Sequence, residues 1–429
     1  MIDFATGDAT GLSLPAHVDA LMAAGPAFLT RAFQAFGVLE SDNAVTRIIA
    51  CEPCPGGSTG HKFFLTIDYA HDRPDRDRRL FLKFSRDFTD PRRDWQRTEM
   101  ESEAKFVALS RQPGFPIRIP RGYFADYEAA SGTGIVITEC VTYGENGIEP
   151  HRAKCFDHAT MADPLAYYCA QITALARLAG AHKAGRLAPD IAARFPFGPT
   201  GSADPIRYSE SELRAELAHC RAFARDCAHL LPAQVTTPEF LSRMERDALL
   251  IRENEAAIQR ELTGNPDMIA LCHWNAHIDN LFFWRDADVL QCGLIDWGRV
   301  GQLTLGSVLW GGLSAAHHDI WDLHLTALLA LFVREYHAAG GPLVRVEELE
   351  RHLALHMAAM GVSRVLAFPE IIRFRLPDIA KMPNRTDARL MAIDPARNCL
   401  HVYVNCLQHW HRQDFGRLGR ALTSQPTQA

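Results

Sequence analysis

The spacing of apolar residues switches between strand and helix along this chain, and that switching limits the fold more than any other feature. From Val45 to Val141 most apolar positions recur at strand spacing, in "VTRII", "FFLTIDY", "LFLKF", "RGYFADYEA" and "GIVITECV". Alternation of this kind marks strands with one buried face. The turn "PCPGGSTGHK" and the charged loop "AHDRPDRDRR" divide them, so Phe63 to Tyr69 and Leu80 to Phe84 are expected to form an antiparallel hairpin. One helical interval interrupts the series: "DWQRTEMESEAKFVALSRQ" places Met100, Ala104, Val107 and Ala108 on one face and stops before "PGFP". After Tyr143 the period becomes helical, apart from the short strand-like runs "MIALCHW", "NLFFW" and "VLQCGLIDW". This order predicts an α+β chain with an antiparallel sheet lobe followed by a mainly helical lobe. Residues 1–40 read as a helical extension, 41–143 as the sheet lobe and 144–423 as the helical lobe, with a frayed polar tail.

Bulk properties narrow the partners. With 429 residues, 47% of them hydrophobic, the chain can bury a large core. A net charge of -6 without a long basic run argues against nucleic acid and acidic membrane, and leaves small molecules or proteins. The N-terminal stretch lacks a basic leader with an apolar core, and no run reaches the length of a membrane span, so a cytoplasmic location is expected. Eleven scattered cysteines read as reduced thiols. The pair Cys51 and Cys54 has metal-ligand spacing but no second pair to complete a zinc site. Oligomeric state is left open.

The chemistry concentrates in "LCHWNAHIDNLFFW" and "LIDWG". "NLFFW", "RDAD" and "VLQCGLIDW" make a hairpin, with Asn280 at its entrance and Asp296 at its exit. Two such oxygen donors suit magnesium, although Asn and Asp also cap turns. Lys83 lies inside an apolar strand, where an ammonium is costly unless paired or able to snorkel out. A carboxylate on the following helix is the natural partner: Glu103, with Glu99 and Glu101 as rivals. The glycine-containing turn before Lys62 could donate N–H groups to phosphate.

Taken in order, "GGSTGHK", Lys83 in "FLKF", Glu103 in "EAKFVAL", "IVITECV", "HWNAHIDN" and "LIDWG" resemble the aminoglycoside phosphotransferase-like kinases. That group includes choline, ecdysteroid and macrolide kinases and is similar in fold to protein kinases. The resemblance implies a bilobal protein kinase-like fold, ATP and Mg2+ as cofactors, and a hydroxyl-bearing small molecule as acceptor. It implies that Lys83 holds the α- and β-phosphates, oriented by Glu103, under a loop containing Gly57, Ser58, Thr59 and Gly60. Backbone around Glu139 to Val141 would meet adenine, and Asn280 and Asp296 would ligate magnesium. His273 would shape the catalytic loop, and His277 matches a frequent histidine of the group.

The chain departs from the group's pattern at the chemical end. Where relatives read "HGD", this chain reads "HWN": Trp274 replaces glycine, and Asn275 replaces the aspartate that accepts the hydroxyl proton. An amide takes up no proton near neutral pH. General-base help is worth about 10² to 10⁴ in rate, but phosphoryl transfer relies mainly on positioning and electrostatics. The resemblance therefore implies a phosphotransferase with an altered loop, or alternatively a pseudokinase that binds nucleotide and regulates a partner. Reuse of the fold for another transfer is a third reading. A second departure follows, with Gly306 near the acid that braces the loop in relatives.

Overall fold

The computed structural model describes residues 2–55, 60–91, 93–155, 161–198 and 201–418. In chain order its strands are β1 (Phe4–Thr6), β2 (Ser13–Pro15), β3 (Val45–Pro53), β4 (His61–Tyr69), β5 (Arg79–Phe84), β6 (Gly122–Glu128), β7 (Thr133–Glu139), β8 (Ile269–Cys272), β9 (Leu281–Asp286), β10 (Val289–Leu294) and β11 (Gly301–Thr304). Helix α1 (Val18–Ala35) precedes β3, and α2 (Arg93–Leu109) lies between β5 and β6. The chain is α+β and divides into two compact units: Met1–His151, Gly185–Pro196 and Asn280–Gly301 make the first; Arg152–Ala184, Phe197–Asp279 and Gln302–Ala429 make the second.

The first unit is built on an antiparallel sheet in the order β3-β4-β5-β7-β6. Period-two alternation sends Leu65, Ile67, Leu80, Leu82 and Phe84 into the core. The residues between them, Lys62, Phe64, Phe81 and Lys83, share the other face, with Lys62 directly opposite Lys83 in register. The expected hairpin from Phe63 to Phe84 is present as β4 and β5.

Residues 1–40 contain the expected short helices and more. The addition is the antiparallel pair β1–β2; the helices are present, as two stretches of α1 that meet at a break at Gly25 and Pro26. A proline lacks the N–H that would continue the helical ladder, so a kink there is expected. The β1–β2 turn is held from a distance: the buried Asp126 carboxylate accepts from the N–H groups of Ala9 and Thr10 and from the Thr10 hydroxyl, at 3.1, 2.9 and 2.5 Å. A side chain at Gly7 would collide with that carboxylate. Phe28 and Phe33 of α1 and Phe36 directly after it pack edge-on against Tyr123 and Phe124 of β6, which makes this segment part of the sheet's core.

The hairpin β9–β10 turns through Ala287 and Asp288, both at positive φ as a two-residue hairpin turn requires. The boundary expected near Tyr143 assigned this hairpin to the helical half. Its backbone is instead tied into the first unit, with Leu294 N–H donating to Arg118 at 3.3 Å and Glu149 N–H to Phe283 at 2.8 Å.

The second unit is mainly helical, and β8 pairs with β11. No single helix among the described residues is long and apolar enough to cross a membrane. The helix Leu305–Leu313 is buried along its whole length. Several histidines are enclosed here as neutral rings. Burial holds His182, His401 and His409 down to about 4 and His356 to about 3, against an ordinary 6.5. The unfolded chain therefore binds more protons than the folded chain between these values, and folding stability rises with pH across that window. Stability present above pH 6.5 should fall progressively as pH drops toward 4. Chemical denaturation at stepped pH checks this, and His356→Leu should flatten the slope.

Candidate functional site

Lys83 is 2% exposed on β5, inside a strand that is otherwise apolar toward the core. Its ammonium donates to Glu103 at 2.5 Å and to Asp296 at 3.2 Å. Burial disfavours the charged amine, but the two carboxylates outweigh it and hold the Lys83 pKa above its ordinary value. Burial raises the Glu103 pKa, and Lys83 opposes that shift. Glu103 is the partner because its rivals are engaged elsewhere: Glu99 pairs with Arg299 at 3.0 Å and Glu101 with Lys105 at 2.6 Å.

An aromatic clamp brings Asp296 to the helix. Phe106, one turn beyond Glu103 on α2, stacks on Trp297 with ring centroids 3.8 Å apart and planes 20° apart. The Trp297 indole N–H donates to the Leu294 carbonyl at 3.2 Å. The Asp296 backbone is in the left-handed region at φ 63, which Asp tolerates better than most residues. Ile295 N–H donates to the Asn280 carbonyl at 2.9 Å, so residue 280 is bonded to the neighbour of Asp296. The partly exposed Asp296 carboxylate is an oxygen donor of the kind a hard divalent cation takes.

Glu139, Cys140 and Val141 line a cavity of about 350 Å³ in the first unit, together with Arg79, Arg118 and Phe282. Arg118 lies over the rings of Trp284 and Phe282, at 4.9 and 5.6 Å, and 3.7 Å from the Glu139 carboxylate. Gly60, at φ 64, runs so close to the Phe84 carbonyl that a Cβ would lie 2.3 Å from it. Gly57, Ser58 and Thr59 fall outside the described residues.

The loop after β8 belongs to the second unit. His273 is buried, and its Nδ1 accepts from the Asn275 N–H at 3.1 Å, which curls the chain at the amide residue. His277 is held neutral, its pKa pushed well below normal by burial and by the nearby Lys154 charge. The Lys154 ammonium is 4.0 Å from Asp279. The sequence directs attention to position 306 as the missing brace, but Gly306 sits against the His352 carbonyl. The loop is fastened by Gln171, whose amide donates to the carbonyls of Ala276 and Gly312 at 2.7 and 3.0 Å. A Cβ at Gly311 would overlap the Trp274 carbonyl, so the helix Leu305–Leu313 presses directly on the loop.

The first unit thus gathers Lys83, Glu103, Asp296, Asn280, Gly60 and the strand end at Glu139–Val141, and the second carries His273, Asn275 and His277. Sequence reasoning missed Gln171, Arg118 and the Phe106–Trp297 stack. Gln171 left a signal, as a lone amide on a helix that is otherwise apolar on that face ("YYCAQITALARLAG"). Arg118 left none.

No protein-family model matches the sequence, and no curated protein matches it. Solved structures do. The chain is similar to a choline kinase from Cryptosporidium parvum Iowa II, at 12% identity, with 88% of this chain and 94% of that chain covered and a TM-score of 0.45. It is similar to a microcompartment-associated aminopropanol kinase, at 14% identity over 91% of this chain and 99% of that one, TM-score 0.39. It is also similar to a spectinomycin phosphotransferase solved with ADP and spectinomycin, at 12% identity, 84% and 94% coverage and TM-score 0.39.

Removing one member of a buried ion pair strands the other, at a cost of about 3–5 kcal/mol, whereas replacing both with apolar groups is often neutral. Lys83→Met should therefore destabilise the protein by roughly that amount. The double variant Lys83→Met with Glu103→Leu should recover most of the loss in urea denaturation, leaving only the Asp296 contact unmet.

Proposed function

We propose that this chain is an ATP- and magnesium-dependent O-phosphotransferase acting on a small hydroxyl-bearing molecule, with an amide at the position of the usual base. The observation that carries the reading is the approach of a buried lysine to two carboxylates from distant parts of the sequence, Glu103 and Asp296. A structural ion pair needs one carboxylate; the second, partly exposed, is suited to a cation that accompanies phosphate.

In this reading Lys83 holds the α- and β-phosphates and Glu103 fixes its direction. Backbone at Glu139–Val141 meets the base in the adjoining cavity, and N–H groups of Gly57, Ser58, Thr59 and Gly60 cover the phosphates. Asn280 and Asp296 would hold magnesium, which when bound neutralises charge on the transferring phosphoryl group. His273 shapes the loop through the Asn275 N–H. Asn275 orients the acceptor hydroxyl through its amide oxygen without taking the proton, and neutral His277 lies two residues further along.

Asn275 also favours a second reading, a pseudokinase that binds nucleotide and regulates a partner. Turnover separates the two, measured across alcohols and amino alcohols. MgATP should raise the melting temperature of the wild type, and Lys83→Ala and Asp296→Ala should weaken that response. Asn275→Asp should raise phosphotransfer or basal ATP hydrolysis by roughly tenfold or more if the missing base limits the rate. A fall from a robust native rate would show that the amide has its own role; absence of any MgATP response in wild type and in Asn275→Asp would end the nucleotide reading.

A further inference from the structure

The face of the sheet that carries Lys83 carries a second lysine. Lys62 on β4 is directly opposite Lys83 on β5 in the antiparallel register, and side chains in that relation rise from the sheet about 5 Å apart. Like charges so placed repel and destabilise the pair of strands. Two carboxylates stand nearby, but both are turned to Lys83, which donates to Glu103 and to Asp296. The Lys62 ammonium has neither a hydrogen bond nor an ion pair among the described residues. The side chain is half-buried, and burial and the Lys83 charge lower its pKa, while Asp296 and Glu103 pull the other way. The local ledger is thus two ammonium groups against two carboxylates, both of which are bonded to Lys83. Once a cation engages Asp296, that carboxylate has less charge to offer the lysines, and the surplus of positive charge grows. An anion of several charges, arriving with the cation, balances it.

Resting on the nucleotide reading, we infer that Lys62 is a second phosphate-binding lysine, which contacts the β- or γ-phosphate of ATP and so selects the longer phosphate chain. Its place supports that end of the nucleotide. Lys62 is two residues beyond Gly60, the left-handed glycine packed against Phe84 and Lys83, while the cavity at Glu139–Val141 is lined from the opposite end of the strands. Along β5, Lys83 pairs with Lys62, whereas Leu80 pairs with Glu139 of β7. The lysine pair and the cavity wall are therefore three residues apart on β5, about 10 Å at strand rise. That separation suits a base at one end and the outer phosphates at the other.

The test is calorimetric titration of wild type, Lys62→Gln and Lys62→Arg with ATP, ADP and AMP in the presence of magnesium. Lys62→Gln should lose roughly tenfold to a hundredfold in ATP affinity, the span of one charge-assisted hydrogen bond. AMP affinity should change little, and Lys62→Arg should keep most of the ATP affinity. Without nucleotide, Lys62→Gln should melt no lower than wild type, because it removes a like-charge repulsion; a purely structural lysine would melt lower. If wild type binds MgATP and Lys62→Gln binds it equally well, or loses ATP and AMP affinity alike, the inference fails and the nucleotide reading stands. If wild type binds no nucleotide, the reading and the inference fail together.

Discussion

The buried ammonium of Lys83 is the constraint around which the first unit is arranged. An unpaired charge in that position would cost several kcal/mol, so the chain has to deliver carboxylates to it. They come from α2, about one helix away in sequence, and from residue 296, which is more than 200 positions distant. Meeting both fixes the rotation of α2, the register of β5 between β4 and β7, and the path of the chain leaving β10. The Phe106–Trp297 stack and the Arg299–Glu99 pair bind the same two segments together on either side of the charge cluster.

The two ends of the proposed reaction are built with opposite electrostatics. The phosphate end is densely charged, with two lysines and two carboxylates in mutual range. The loop end is muted: Asn275 carries no charge, His277 is kept neutral by its surroundings, and Asp279 lies within ion-pair reach of Lys154. Its shape is nonetheless strongly held, by His273 from within, by Gln171 from a neighbouring helix and by the close pass of Gly311. A loop maintained with that much buried structure is suited to positioning work.

Much of the sheet was legible because alternation and turn residues are local. The β4–β5 hairpin, the β9–β10 hairpin and α2 follow from patterns contained within the segments themselves. In the first forty residues the helices follow from local pattern as well, but the β1–β2 pair does not. The β1–β2 turn depends on Asp126, more than 100 residues away. The brace of the loop was sought at Gly306 because spacing along the chain pointed there, whereas the donor that holds it arrives from the helix Pro164–Lys183.

By itself the sequence determined the element types, their order, and the identity of the charged residues that an apolar strand could not carry alone. Those are decided by side-chain chemistry and short-range periodicity. Only the tertiary structure decided that Glu103 and not Glu99 or Glu101 meets Lys83, that the β9–β10 hairpin packs with the sheet, that Gln171 secures the loop, and that Lys62 stands unpaired beside Lys83. Each of these depends on which groups approach within a few ångströms after folding. Hydrogen bonds and buried charge pairs are short-ranged, so their partners are set by three-dimensional proximity that sequence separation does not encode.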